Sequence, residues 1–146
     1  VRCNSIAESQ PPLEDFHWTG DWYSWINEPG NVQIATAHGG TRSFRAPNIS
    51  FAESYQDVDI SHYSAAIDAG LQSFTLQCYA ADFGDEARLA LEFRDAGGQV
   101  LGTPYESAPA DSDAWTLIET TLLAPANAVV ARVFLRGTKV SHLNTG

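Results

Sequence analysis

Trp18, Trp22, Tyr23 and Trp115 are the residues of this chain best suited to meeting a neutral, hydroxyl-rich ligand. An indole or phenol ring offers a flat apolar surface that stacks on the apolar face of a pyranose, and a few planar polar groups then bind the hydroxyls. Trp22 leads the group. In an extended strand it faces opposite to Tyr23 and Trp25, so it points outward where those two point inward. Large aromatics mostly pack, and Trp25 is the natural core residue, with Trp115 also suited to anchor the end of a strand. Arg42 and Arg45 flank Phe44 in a chain with only eight basic residues. Their forked guanidinium groups suit paired hydroxyls or a uronic acid carboxylate, although pairing with the abundant carboxylates competes. Asp82 and Asp85 bracket Gly84 at a loop tip, where they can accept sugar hydroxyls or simply form the turn.

Other chemistry is poorly supplied. His17, His38, His62 and His142 are scattered, without the spacing of a zinc site. There is no Gly-x-Ser-x-Gly elbow and no phosphate loop. Paired carboxylates for glycoside hydrolysis are a spatial arrangement, so a small polysaccharide hydrolase or lyase stays as an alternative. Cys3 and Cys78 permit one disulfide, while the inward phase that Cys78 shares with Phe74 and Leu76 also fits a buried free thiol. Asn48-Ile49-Ser50 is a glycosylation sequon.

With 146 residues the chain has the size of one domain and can bury a core of its own. Its net charge of −10 opposes a phosphate backbone or an anionic membrane surface, so nucleic acid is not an expected partner. No apolar run approaches the roughly 18 residues that span a bilayer, so membrane insertion is not expected either. The chain contains no Met, which suggests a processed piece of a longer product.

The elements that must hold these residues read as strands. Residues 1–12 are a polar extended leader ending in Pro11-Pro12, and a domain follows over 13–146. Two or three short strands are expected between Leu13 and Ile26, then one over Asn31 to Thr36 and a small one around Ser43-Phe44-Arg45. Longer strands follow over Tyr55 to Ile60, Phe74 to Ala80, Arg88 to Arg94, Val100 to Glu106, Trp115 to Leu122 and Val129 to Leu135. Between Ser61 and Gly70 there is room for a helical turn. Alternation is clearest at Leu89, Leu91 and Phe93, with Arg88, Glu92 and Arg94 opposite, and Asp95 to Gly98 reads as a tight hairpin. The class is all-β, a two-sheet antiparallel β-sandwich or jelly roll.

Three stretches carry a resemblance: Gly20-Asp21-Trp22-Tyr23-Ser24-Trp25 with Asn31 to Ile34; Gly40-Thr41 with Tyr55 to Ser61; and Leu91 to Gly102 with Trp115, Pro125-Ala126 and Arg132 to Thr138. Over roughly Leu13 to Gly146 the order of elements resembles the galactose-binding-like jelly rolls, especially the carbohydrate-binding modules of secreted bacterial-type enzymes and adhesins. The resemblance implies a non-catalytic carbohydrate-binding or recognition module of a larger secreted protein. Its ligand would be an oligosaccharide or polysaccharide, met by Trp22, Tyr23, Arg42, Arg45, Asp82 and Trp115, with neighbouring modules of the same protein as further partners. It also implies a structural calcium, of which Glu14 and Asp15 match the first half of the ligand set, although two adjacent carboxylates equally suit a solvated acidic patch. Such relatives end in a further strand with an apolar-Asp-Asp-like motif, and this chain reads His142-Leu143-Asn144-Thr145-Gly146 there instead. That departure keeps open a structural or adhesion sandwich in which a neighbour supplies the missing strand.

Overall fold

The computed structural model describes residues 2–4, 16–19, 23–26, 42–45, 50–81, 85–110 and 114–140, the first four segments by their backbone alone. Ten strands lie among the described residues. They are β1 (Arg2–Asn4), β2 (Phe16–Thr19), β3 (Tyr23–Ile26), β4 (Arg42–Arg45) and β5 (Phe51–Asp59), then β6 (Ser73–Ala81), β7 (Glu86–Arg94), β8 (Val100–Glu106), β9 (Thr116–Leu123) and β10 (Val130–Thr138). Sheet A has the order β3-β4-β1-β6-β9 and sheet B the order β2-β5-β10-β7-β8, with antiparallel pairing throughout. The architecture is the antiparallel β-sandwich expected from the sequence.

Alternation dictates which face of each strand is dry. In β7, Ala87, Leu89, Leu91 and Phe93 are buried between the sheets, and their register partners on β10 are Gly137, Leu135, Val133 and Ala131. From sheet A, Cys78, Ala80 and Ile118 meet Ala52, Leu89 and Leu135 to form one half of the core. The other half gathers Ile60, Ile67, Leu91, Phe93, Ala124, Ala128 and Ala131, and Leu76 packs against both halves. Ile67 comes from the single-turn helix α1 (Ser64–Asp68), which follows a 3-10 turn over Ser61–Tyr63 and plugs the end of the sandwich. Each aliphatic side chain fully buried in this way contributes about 1.5–3 kcal/mol of transfer free energy.

The joints are built from the turn chemistry the sequence advertises. Between β7 and β8, Oδ1 of Asp95 accepts from the backbone N–H groups of Gly97 and Gln99, both at 2.9 Å, and Gly98 sits at φ +81°. That conformation is strained for any residue with a Cβ. Between β9 and β10, Asn127 adopts φ 69° and donates its N–H to Oδ1 of Asp68 at 2.8 Å, tying the turn to α1.

Several strands run longer than their sequence pattern suggests. β5 begins at Phe51 rather than Tyr55, and β10 continues to Thr138 rather than ending at Leu135. In both extensions the inward positions are small, Ala52 and Ser54 in one and Gly137 in the other, so no apolar signal marks them. β9 starts at Thr116, one residue after Trp115. The extended leader supplies a strand: β1 lies between β4 and β6 in the middle of sheet A. Cys78 is disulfide-bonded, and the chain's one other cysteine, Cys3, sits on β1 in register with Ala80, two positions from Cys78. The strand expected over Asn31 to Thr36 lies outside the described residues. Among the described residues no helix is long and apolar enough to cross a membrane.

Candidate functional site

On the outer face of sheet B the register writes out four parallel rows across the strands. Arg88, Arg136 and Glu53 form the first, and Glu106, Ala90, Phe134 and Tyr55 the second. Glu92, Arg132 and Asp57 form the third, followed by Arg94, Val130 and Asp59. An aromatic strip therefore runs between two charged rows.

The charged rows lean over the strip. The Arg132 guanidinium lies 3.9 Å from the centroid of the Tyr55 ring, and that of Arg136 lies 4.7 Å from the centroid of Phe134. Such cation–π contacts are worth roughly 0.5–2 kcal/mol, more as water is excluded. The two rings themselves meet at 5.8 Å with a tilt of 52°. Phe134 is only 7% exposed although it points away from the sandwich core, because these arginines and Tyr55 cover it. The rings act as the floor, and the guanidinium groups lie over them toward the outside.

Each arginine is locked in place by carboxylates. Arg132 donates Nε to Oδ1 of Asp57 at 2.6 Å and Nη2 to Oδ2 at 2.7 Å, the forked geometry that fixes a guanidinium plane. This bond pushes Arg132 further above its already basic ordinary value, so its charge is permanent. Arg136 donates Nε to Glu53 at 2.7 Å and Nη1 to Glu106 at 3.2 Å. Arg88 faces Arg136 directly in register, an arrangement that alone would repel, and Glu106 bridges them with its second oxygen 4.0 Å from Nε of Arg88. Arg88 also bonds Glu86 and the carbonyl of Ser107, while Arg94 pairs with Glu92. Within these bonds Nη1 of Arg132 and Nη2 of Arg136 have no acceptor among the described residues. Four arginines, half of the chain's basic residues, thus stand on one face against Glu53, Asp57, Glu86, Glu92 and Glu106.

Of the residues singled out from the sequence, Trp18 lies on β2 of sheet B in register with the buried Ser54, while Tyr23, Arg42, Arg45 and Trp115 belong with sheet A. Tyr23 is in register with Arg45, Arg45 with Arg2, and Arg2 with Ala81. Ala80 pairs with Thr116, so Trp115 continues the same line beyond the start of β9. The fold thereby brings Tyr23, Arg45 and Trp115 to one row at one end of sheet A, whereas Arg42 pairs with Ile26 at the other end of β4. Trp115 is half-buried. Trp22, Asp82, Glu14, Asp15 and Asn48 lie outside the described residues. Among the described residues no group of three or more His, Cys, Asp or Glu side chains is placed to hold a metal.

Sequence reasoning passed over Tyr55, Arg132, Phe134 and Arg136, and a signal for them existed. In Arg132-Val133-Phe134-Leu135-Arg136 the residues at even positions share a face with two arginines, which makes Phe134 an outward aromatic. Tyr55 and Asp57 hold the same phase in β5.

No protein-family model matches the chain, and no curated protein matches it by sequence. Solved structures do match its fold. The C-terminal family 22 carbohydrate-binding module of Clostridium thermocellum Xyn10B superimposes with a TM-score of 0.54 at 11% identity, covering 91% of this chain and 81% of that one. The enzymatically active domain of tailspike protein 4 of bacteriophage CBA120 gives a TM-score of 0.55 at 13% identity, over 88% of this chain but only 18% of the tailspike chain. A two-module fragment of the same Clostridium xylanase, solved with xylohexaose, gives 0.50 at 15% identity, covering 86% of this chain and 23% of that one. This chain has a jelly-roll β-sandwich that resembles carbohydrate-binding modules.

Proposed function

We propose that this chain is a non-catalytic carbohydrate-binding module, and that a sugar chain lies across the outer face of sheet B. The observation carrying this reading is the pair of arginines held over Tyr55 and Phe134, each locked by carboxylates yet with one amino group that has no acceptor among the described residues. Donors fixed before the ligand arrives bind hydroxyls at little cost in side-chain entropy. With Asp59 adding one further negative charge at its end, the face sets four arginines against the five carboxylates that pair with them, so its charges largely cancel and a neutral polysaccharide suits it better than an ionic one. Every one of those carboxylates already accepts from an arginine, which supports binding over acid–base chemistry. Similarity of fold to a family 22 module points the same way.

Tyr23, Arg45 and Trp115 share a row of sheet A and offer a second surface, with Trp22, the residue first expected to stack, next to Tyr23 in the sequence. A polysaccharide array run on the wild type, Arg132→Ala, Arg136→Ala and Trp22→Ala separates the two faces. Xylan and xylohexaose head the panel because a module of this fold was solved with the latter. Binding by the wild type that is lost in both arginine variants and kept in Trp22→Ala supports the sheet B face. Loss in Trp22→Ala alone moves the site to sheet A, and a blank for the wild type overturns the proposed function. Repeating the array with a chelator tests the calcium expected at Glu14 and Asp15.

A further inference from the structure

β9 is the outer strand of sheet A and pairs with β6 alone among the described strands. The Ala124 N–H donates to the carbonyl of Gln72 at 2.9 Å, which sets the phase of the β6–β9 ladder. Antiparallel pairing alternates, so the even-numbered residues of β9 turn their backbone groups toward β6. Leu117, Glu119, Thr121 and Leu123 turn theirs toward the free edge. The same four side chains stand on the outer face of the sheet, where Leu117 and Leu123 are 44% and 58% exposed. An eight-residue edge strand of sequence TLIETTLL, without proline or glycine and with one charge, lacks most of the devices by which natural edges avoid pairing.

We propose that two copies of this chain associate through β9, antiparallel and about a twofold axis at Thr120, to form one continuous ten-stranded sheet. The register follows from the residues. With Thr120 facing its own copy, Leu117 of one chain lies opposite Leu123 of the other, and Glu119 lies opposite Thr121. All four outward-turned residues then fall in hydrogen-bonded pairs, as their backbone direction requires. A shift of the axis to Glu119 would set that carboxylate against its own copy, which is repulsive. A shift to Thr121 would bring Leu117 opposite Pro125, which has no N–H to give. Only the register centred on Thr120 joins the two exposed leucines and keeps the glutamates apart. Because each copy carries a charge of −10, association strengthens as salt screens the repulsion.

Sedimentation equilibrium on the full chain tests this. The wild type is expected to move from 15.8 kDa toward twice that mass as concentration rises. Leu117→Lys is expected to raise the dissociation constant about tenfold or more, and combining it with Leu123→Glu to restore dimerisation, since each copy then sets opposite charges across the seam. Hydrogen exchange on the wild type needs no variant to fold: the amides of Leu117, Glu119, Thr121 and Leu123 should slow with concentration while those of β8 do not. A wild type that stays monomeric to millimolar concentration, a dimer indifferent to Leu117→Lys, a double variant that fails to re-associate while keeping the wild-type circular dichroism, or exchange that slows elsewhere would each overturn the proposal.

Discussion

Ser54 and Ser107 are two buried hydroxyls with opposite circumstances. Oγ of Ser107 accepts the N–H of Leu89 at 3.0 Å and donates to the carbonyl of Ala108 at 2.8 Å, just past the end of β8. Ser107→Ala should therefore destabilise the fold by about 1–3 kcal/mol, since it leaves a buried N–H without a partner. Ser54 is fully buried and its Oγ has no hydrogen-bond partner among the described residues. Ser54→Ala should be neutral or stabilise the chain by up to about 1 kcal/mol, and urea unfolding of the two variants side by side checks both signs. Asp59 supplies a pH dependence. Hydrogen bonds from the Ser61 hydroxyl and then from its backbone N–H hold this carboxyl below its ordinary value of 3.8. A depressed value means that the stabilisation is complete above the ordinary value and disappears as pH falls through the lowered one. Acid titration of the wild type and Asp59→Asn should show a shallower acid limb in the variant. For the proposed sugar face, Tyr55→Ala removes the floor under Arg132 and is expected to weaken polysaccharide binding about three- to thirtyfold, read by calorimetry.

At the level of strands, legibility followed side-chain size. β7 could be read directly because Leu89, Leu91 and Phe93 alternate with Arg88, Glu92 and Arg94. The first half of β5 could not, since Ala52 and Ser54 are as buried as those leucines yet carry no apolar mass. The hairpin at Asp95 to Gly98 was legible because its chemistry is local, with the Asp95 carboxylate and the positive φ of Gly98 both written within four residues. Gly98→Ala is accordingly expected to cost about 1 kcal/mol, measured as a lowered melting temperature, even though a Cβ there meets no atom within 4 Å. The proposed sugar face was illegible for the opposite reason. Its rows join β5, β10, β7 and β8, so Arg132 and Asp57 stand 75 residues apart in the chain and meet only through the sheet order. Tyr23, Arg45 and Trp115 share a row of sheet A on the same principle, although no spacing along the chain announces it.

For the molecule as a whole, the covalent cross-link and the strand order set the terms. Cys78 is disulfide-bonded and Cys3 is the chain's one other cysteine, so a peptide map under non-reducing conditions should recover these two segments joined. Closing so long a loop constrains the unfolded chain, and reduction should cost about 2–5 kcal/mol, seen as a shift in the thermal midpoint. Each sheet also has at its centre the first or last of the described strands, with β1 third in sheet A and β10 third in sheet B. During synthesis β5 and β7 emerge with nothing yet between them, and neither has its shared neighbour until residue 138 is made. A nascent chain that stops short of β10 therefore holds an open sheet B with two hungry edges, on β5 and β7, and half of its arginine face missing. Sheet B closes only once β10 is made, and a nascent chain halted before it is a client for chaperones rather than a smaller working domain.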